Sequence, residues 1–244
     1  MTAPKEDEGA RVAVPAGNRL RNGSFEDLGV EVVEEGSLSY RFKFRGEIGA
    51  TVKLLDAIGY GPVIRTARRL GIKSALRPFP SLALGAFEIT LLELTSAYGT
   101  FANQGVYVEP HLVREVLDRE GTLVAKMEPE VRDAVSPETA FLMNSVLGGG
   151  ISDGTGRAAA SLGMTLAGKT GTTDNNTDAW FVGFSPRITV GVWVGRDLKE
   201  TIGRRMTGAA AALPIWMRFM EAYLAAQVCT KTMAETPGMR LYSF

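Results

Sequence analysis

From residue 50 onward the apolar positions follow a helical spacing. Val52, Leu54, Leu55 and Ile58 form one stripe, Gly59-Tyr60-Gly61-Pro62 stops it, and Val63, Ala67 and Leu70 begin a second stripe that ends at Gly71. Two short helices in succession are predicted. The prolines at 78 and 80 make 76–85 an extended connector. Ile89, Leu92, Leu94, Ala97, Tyr98, Phe101 and Ala102 then place an apolar face on a helix closed by Gly105, and that face is a candidate for the core. Ser136-Pro137 reads as an N-cap with a first-turn proline. Phe141, Leu142, Val146 and Leu147 give the following helix its apolar side up to the glycines at 148–150. A last amphipathic helix is predicted over 209–226, broken once near Pro214, and the tail after Cys229 carries little pattern.

Between these helices the pattern changes to strands. Residues 112–118 and 122–126 flank a turn at Gly121 and predict a hairpin. The glycine-rich stretch Asp153-Gly154-Thr155-Gly156 is a loop. Further on, 164–173, 179–185 and 188–195 read as three strands, with Asp174-Asn175-Asn176 as the turn between the first two. The connections are too short for a parallel crossover, so these three strands should be antiparallel neighbours.

The first strand of that set, with its Lys169-Thr170-Gly171-Thr172-Thr173 run, is the chemically richest part of the chain. Lys169 supplies a fixed positive charge. Thr170 and Thr172 offer hydroxyls to an anion, and Gly171 leaves room for a ligand lying along the strand. Such a strand can bind a carboxylate. A rival pattern overlaps it, because Gly163, Gly168, Lys169 and Thr170 satisfy the spacing of a phosphate-binding loop. That loop needs a buried strand before its first glycine and a helix beginning at the Lys-Thr pair. Ala158–Leu162 in front and Gly171-Thr172-Thr173-Asp174-Asn175-Asn176 behind supply neither.

Residues 1–48 differ in composition from the rest, being rich in Glu, Arg, Gly and Val. They show only a weak strand signal over 37–45 and no helical stripe, so they read as a disordered leader. With 45% apolar residues in 244, the chain can bury a core. Its 27 basic and 27 acidic residues balance, and no basic tract tracks a nucleic-acid backbone, so nucleic acid is not an expected partner. No apolar run is long enough to span a bilayer, and the acidic start at 6–8 is unlike the basic n-region of a signal peptide. One cysteine, Cys229, excludes an internal disulfide, and one histidine, His111, cannot build a His-based zinc site. Neither a metal nor a cofactor is expected.

Several of these stretches together resemble one family. Lys-Thr-Gly on a strand is one of three signatures of penicillin-binding proteins and serine β-lactamases, beside Ser-x-x-Lys and a Ser-x-Asn element. Thr51–Leu55, Ser81–Gly85 with Glu88-Ile89-Thr90, Ala97-Tyr98 with 101–105, Gly154-Thr155-Gly156, 167–173, 178–183 and 192–195 with Asp197 follow the family's order. Residues 50–226 are therefore similar to the C-terminal part of the transpeptidase domain of class A, bifunctional penicillin-binding proteins. The resemblance implies an α/β (α+β) fold of the β-lactamase/transpeptidase type, an antiparallel sheet covered by helices on both faces, here incomplete. It implies serine acyl transfer on the D-Ala-D-Ala end of peptidoglycan stem peptides, with β-lactams reacting at the same serine, in an extracytoplasmic location. Carried over, Lys169 holds charge at the site, Thr170 and Thr172 receive the substrate carboxylate past Gly171, and the Thr172 N–H serves an oxyanion hole. Thr173 and Asp178 are expected only as a contact at the hairpin rim.

The departures from the family carry equal weight. None of the twelve serines has a lysine three positions on, and the place of Ser-x-Asn reads Gly46-Glu47-Ile48. Nucleophilic catalysis needs a serine, a base within reach and oxyanion donors together. The expected organisation is a non-family segment 1–48, a partial transpeptidase domain 49–228 and a tail 229–244, the family domain being cut before its first two signatures. The expected function is a fragment of a cell-wall cross-linking transpeptidase with no catalytic residue of its own. The alternative is a catalytically dead module that binds peptidoglycan or a partner. The nucleotide sequence upstream of codon 49 discriminates between the two.

Overall fold

The computed structural model describes Arg11–Val12, Val30–Glu35, Tyr40–Phe44 and residues 48–234, with side-chain detail over 51–226. The first three segments are strands β1, β2 and β3, paired antiparallel in the order β1-β3-β2. The weak strand signal at 37–45 coincides with β3, and apart from these three strands residues 1–47 lie outside the described residues.

Helices α1 (Ile48–Ile58) and α2 (Tyr60–Arg69) follow the two predicted stripes, and Gly59, at φ 83°, turns the chain between them. The 76–85 connector is not extended throughout. After the extended Phe79, Pro80 opens a 3-10 turn, Pro80–Leu84, because its fixed φ suits a first helical position. Helix α3 (Leu91–Ala102) begins with a capping box between Thr90 and Glu93. Glu93 also accepts from the Lys73 and Ser74 N–H groups and from the Ser74 hydroxyl, which ties the end of the α2 region to the start of α3.

Strand β4 (Val106–Val108) pairs with β7 (Val131–Asp133) around the predicted hairpin of β5 (Glu115–Leu117) and β6 (Leu123–Lys126). The β4–β7 pair has no sequence reading, since three residues are too few to show a period and the partner lies more than twenty positions away. At the hairpin turn Asp118 accepts from the Glu120 and Thr122 N–H groups, and Gly121 takes φ 82°.

Helix α4 (Pro137–Ser152) starts at the predicted Ser136 cap but does not stop at the glycines; it runs through 148–150. The reason is tertiary. A Cβ on Gly150 would stand 2.7 Å from the Gly168 carbonyl oxygen, so glycine lets α4 lie directly against the strand that contains Gly168. That strand, β8 (Ala167–Thr172), is followed by β9 (Ala179–Phe184) and β10 (Thr189–Val194), antiparallel in the order β10-β9-β8 as predicted. The described residues close with a π-helical turn, Gly208–Ala212, and α5 (Leu213–Ala234), which carries Pro214 in its first turn and continues past Cys229.

Helices cover both faces of the three-stranded sheet. Gly191, opposite Val182, faces α3: a Cβ there would meet the Thr95 hydroxyl at 2.0 Å and Leu91 at 3.0 Å. Gly183, adjacent to Val182 and so on the other face, meets the Trp216 ring of α5. On the α5 side Phe181, Leu213, Trp216 and Met220 are fully buried, and the Phe181 and Trp216 rings meet edge to face at 5.0 Å. On the other side Phe101, Ala167 and Phe184 form a second cluster, with Tyr98 edge-on to both phenylalanines. Helix α4 bridges the two clusters, since Leu147 belongs to one and Ile151 to the other.

Candidate functional site

Strand β8 is an outer strand of its sheet and pairs only with β9 among the described residues. Its first two residues, Ala167 and Gly168, are buried, whereas Lys169 and Thr172 are exposed. The Lys-Thr-Gly run therefore emerges from the core at the point where the strand edge opens. Strand alternation divides the run. Lys169 and Gly171 lie opposite Val182 and Trp180, on the α3 face, while Thr170 and Thr172 lie opposite Phe181 and Ala179, on the α5 face. A ligand lying on one face reaches only one of these pairs. A ligand along the free edge reaches both, and an outer strand also offers every second N–H and C=O there.

Each predicted side chain has a defined partner. The Lys169 ammonium donates to the Thr170 carbonyl at 2.8 Å, and no acidic side chain among the described residues pairs with it. The Thr170 hydroxyl lies 2.5 Å from the Thr155 hydroxyl. The Thr172 hydroxyl accepts from the Gly208 N–H at 3.0 Å, which leaves its own proton free for a ligand oxygen. Gly171 has to be glycine, or the β-carbon of Trp180 gives way, because a Cβ would sit 3.1 Å from it. The run lines a cleft of about 600 Å³ whose floor includes Trp180 and Trp193 and whose opposite wall includes Leu91 and Tyr98. Burial raises the Tyr98 hydroxyl pKa, so this side chain stays neutral.

Lys169-Thr170 lies in a strand, followed by a 3-10 turn at Asp174–Asn176. The helix that a phosphate-binding loop requires is absent there, and that rival reading falls. Thr173 and Asp178 close the rim of the hairpin. The Thr173 hydroxyl accepts from the Asp178 N–H at 2.8 Å, and Asp178 accepts from the Thr177 hydroxyl at 2.8 Å and the Trp193 indole at 2.9 Å. Burial pushes the Asp178 carboxyl up, but these hydrogen bonds outweigh it and hold the group below its ordinary range. Among the described residues no three His, Cys, Asp or Glu side chains converge as a metal set would.

Residues 55–221 match the family model described as the penicillin binding protein transpeptidase domain. The chain belongs to this family. Penicillin-binding protein 1A of Aquifex aeolicus (strain VF5) is 41% identical over 190 residues, which are 77% of this chain and 26% of that protein. The transpeptidase fold is found again in the crystal structure of penicillin-binding protein 1A from Haemophilus influenzae, with a TM-score of 0.67 at 20% identity over 97% of this chain and 41% of that one. Penicillin-binding protein A from M. tuberculosis, solved as an imipenem acyl-enzyme complex, gives a TM-score of 0.62 at 21% identity over 90% and 56% of the two chains. This penicillin-binding protein chain spans about a quarter of the length of the relatives it matches.

Two neighbours of strand β8 escaped the sequence reading. Gly208 touches both β8 and β9: a Cβ there would stand 2.3 Å from the Trp180 oxygen and 2.5 Å from the Gly171 oxygen. No sequence signal marks it, since Thr207-Gly208 looks like any helix start. Thr155 stood in a stretch already noted as a loop of the family's order, but its pairing with Thr170 depends on where α4 ends.

Proposed function

We propose that this chain supplies the carboxylate-binding wall of a peptidoglycan D,D-transpeptidase and does not form an acyl-enzyme by itself. The observation that carries the proposal is Lys169-Thr170-Gly171-Thr172 emerging on the free edge of β8, at a cleft, with a cation and hydroxyls on either side of the edge. A stem peptide ending in D-Ala-D-Ala, laid along that edge, brings its terminal carboxylate to Lys169, Thr170 and Thr172, and its scissile carbonyl to the Thr172 N–H. A β-lactam carboxylate takes the same place. Acyl transfer further requires a serine hydroxyl that loses its proton to a base as it attacks the carbonyl. The 244 residues contain no Ser-x-x-Lys to provide that pair. Peptidoglycan lies outside the cytoplasmic membrane, so the proposed site of action is extracytoplasmic; no described helix is long and apolar enough to cross a membrane.

Purified chain incubated with a fluorescent penicillin tests the proposal. No label should survive denaturing electrophoresis, while reversible binding in the native state should be weak and should drop on Lys169→Ala. A denaturation-resistant band that disappears on mutating one serine overturns the claim of inactivity. Tight reversible binding that is indifferent to Lys169→Ala overturns the carboxylate wall and favours a partner-binding module.

A further inference from the structure

We propose that Thr155 is a positioning residue for the Lys-Thr-Gly strand: its hydroxyl sets the direction in which Thr170 offers its proton to a ligand carboxylate. The inference rests on the carboxylate-binding function proposed above and adds to it a residue from outside the strand.

The geometry begins with the two hydroxyl oxygens, 2.5 Å apart, either of which can be the donor. Each carries one proton and can accept two. With no anion present the bond can run in either sense. An anion at the strand edge removes that freedom, because the Thr170 proton then goes to the anion. The proton between the two threonines must then come from Thr155. The result is a relay, Thr155 donating to Thr170 and Thr170 donating to the carboxylate, in which each bond polarises the next. Without Thr155, the Thr170 hydroxyl is free to rotate away and its acceptor side must be served by water.

Thr155 is exposed, yet backbone packing places it. A Cβ on Gly154 would lie 2.8 Å from the Gly150 Cα, and one on Gly156 would lie 2.9 Å from Ile151, so both glycines press the loop against the last turn of α4. The Gly156 N–H donates to the Gly150 carbonyl at 3.0 Å, and Gly150 is itself the residue that lies against Gly168 of β8. The chain of contacts Gly156, Gly150, Gly168 therefore fixes the loop relative to the strand. Thr155 is held opposite Thr170 by main chain, and its side chain remains available for a directional task.

The test uses the full chain with threonine methyl groups labelled for NMR, and benzylpenicillin and its methyl ester as probes. Thr155→Val keeps the shape and removes the hydroxyl. It should weaken binding of the acid by about five- to tenfold, the net worth of one ordinary hydrogen bond, and leave the ester unchanged. Thr155→Ser should restore the acid. In the absence of any probe the Thr170 side-chain coupling should report one rotamer in wild type and an average in Thr155→Val. Equal losses for acid and ester, or wild-type affinity for the acid in Thr155→Val, overturn the relay. A wild-type chain that does not distinguish acid from ester, with Lys169→Ala also without effect, overturns the carboxylate wall instead. The Thr170 rotamer then judges Thr155 separately, and an unchanged coupling in Thr155→Val removes its positioning role.

Discussion

Trp193 donates its indole N–H to the Asp178 carboxylate at 2.9 Å, tying the last strand of the sheet to the turn that opens the middle one. The same Trp193 lies directly across from Trp180, with the two rings 6.2 Å apart, so one carboxylate orients the aromatic floor of the cleft. Asp178→Ala leaves that indole and the Thr177 hydroxyl without their acceptor. The expected cost is about 1–3 kcal/mol of stability, with a red shift of tryptophan emission as Trp193 gains freedom. Denaturant titration followed by fluorescence checks both, and an unchanged emission spectrum would show that Trp193 holds its place without Asp178.

Glu93 provides the acid-sensitive point of the helical side. Burial pushes its carboxyl up, yet the bonds from Ser74, Lys73 and Thr90 more than compensate, and its pKa lies below the ordinary 4.5. A lowered carboxyl pKa means that the unfolded chain binds the proton more readily. The contribution of Glu93 is therefore complete above the ordinary value and disappears as the pH falls through the lowered one. Stability should fall as the pH drops below about 4.5, with Glu93→Gln showing a shallower fall. Identical acid profiles for wild type and Glu93→Gln count against the assignment.

The adjacent glycines of α4 should respond in opposite directions. Gly149 has nothing within 4 Å of an added Cβ, so Gly149→Ala should stabilise by about 0.5–1 kcal/mol through helix propensity. At Gly150 the added Cβ would stand 2.7 Å from the Gly168 oxygen, and the main chain of β8 cannot swing aside like a side-chain end. Gly150→Ala should therefore destabilise by about 1–3 kcal/mol despite the same propensity gain. Two substitutions of the same sign would show that α4 does not press on β8 there.

Trp216 anchors the α5 face, with no exposed surface and its indole N–H donating to the Val190 carbonyl at 3.1 Å. Trp216→Ala should cost about 3–5 kcal/mol, enough to unfold a marginal domain, and should collapse the cluster around Phe181. Far-ultraviolet circular dichroism on heating reads the loss, and a midpoint shift of only a degree or two would contradict the packing.

The amphipathic periods by themselves determined α1, α2 and α3, because a helix that buries one face must repeat near every fourth residue. They also determined the hairpin at Gly121 and the three antiparallel neighbours β8 to β10, because short turns permit no other pairing. The Lys-Thr-Gly run was readable as a strand, and the carboxylate binding proposed for it rests on chemistry local to four consecutive residues. Tertiary structure alone decided that the glycines at 148–150 are helical, since their value lies in the approach to Gly168 and not in their own propensity. It likewise decided the pairing of β4 with β7 and the 3-10 turn after Phe79. The division of Lys169 and Gly171 from Thr170 and Thr172 follows from strand alternation and was within reach of the sequence; which face looks toward α3 and which toward α5 was not. Thr155 meets Thr170 only because α4 ends against β8, and contacts between distant segments are set by how whole elements pack, which no local pattern encodes.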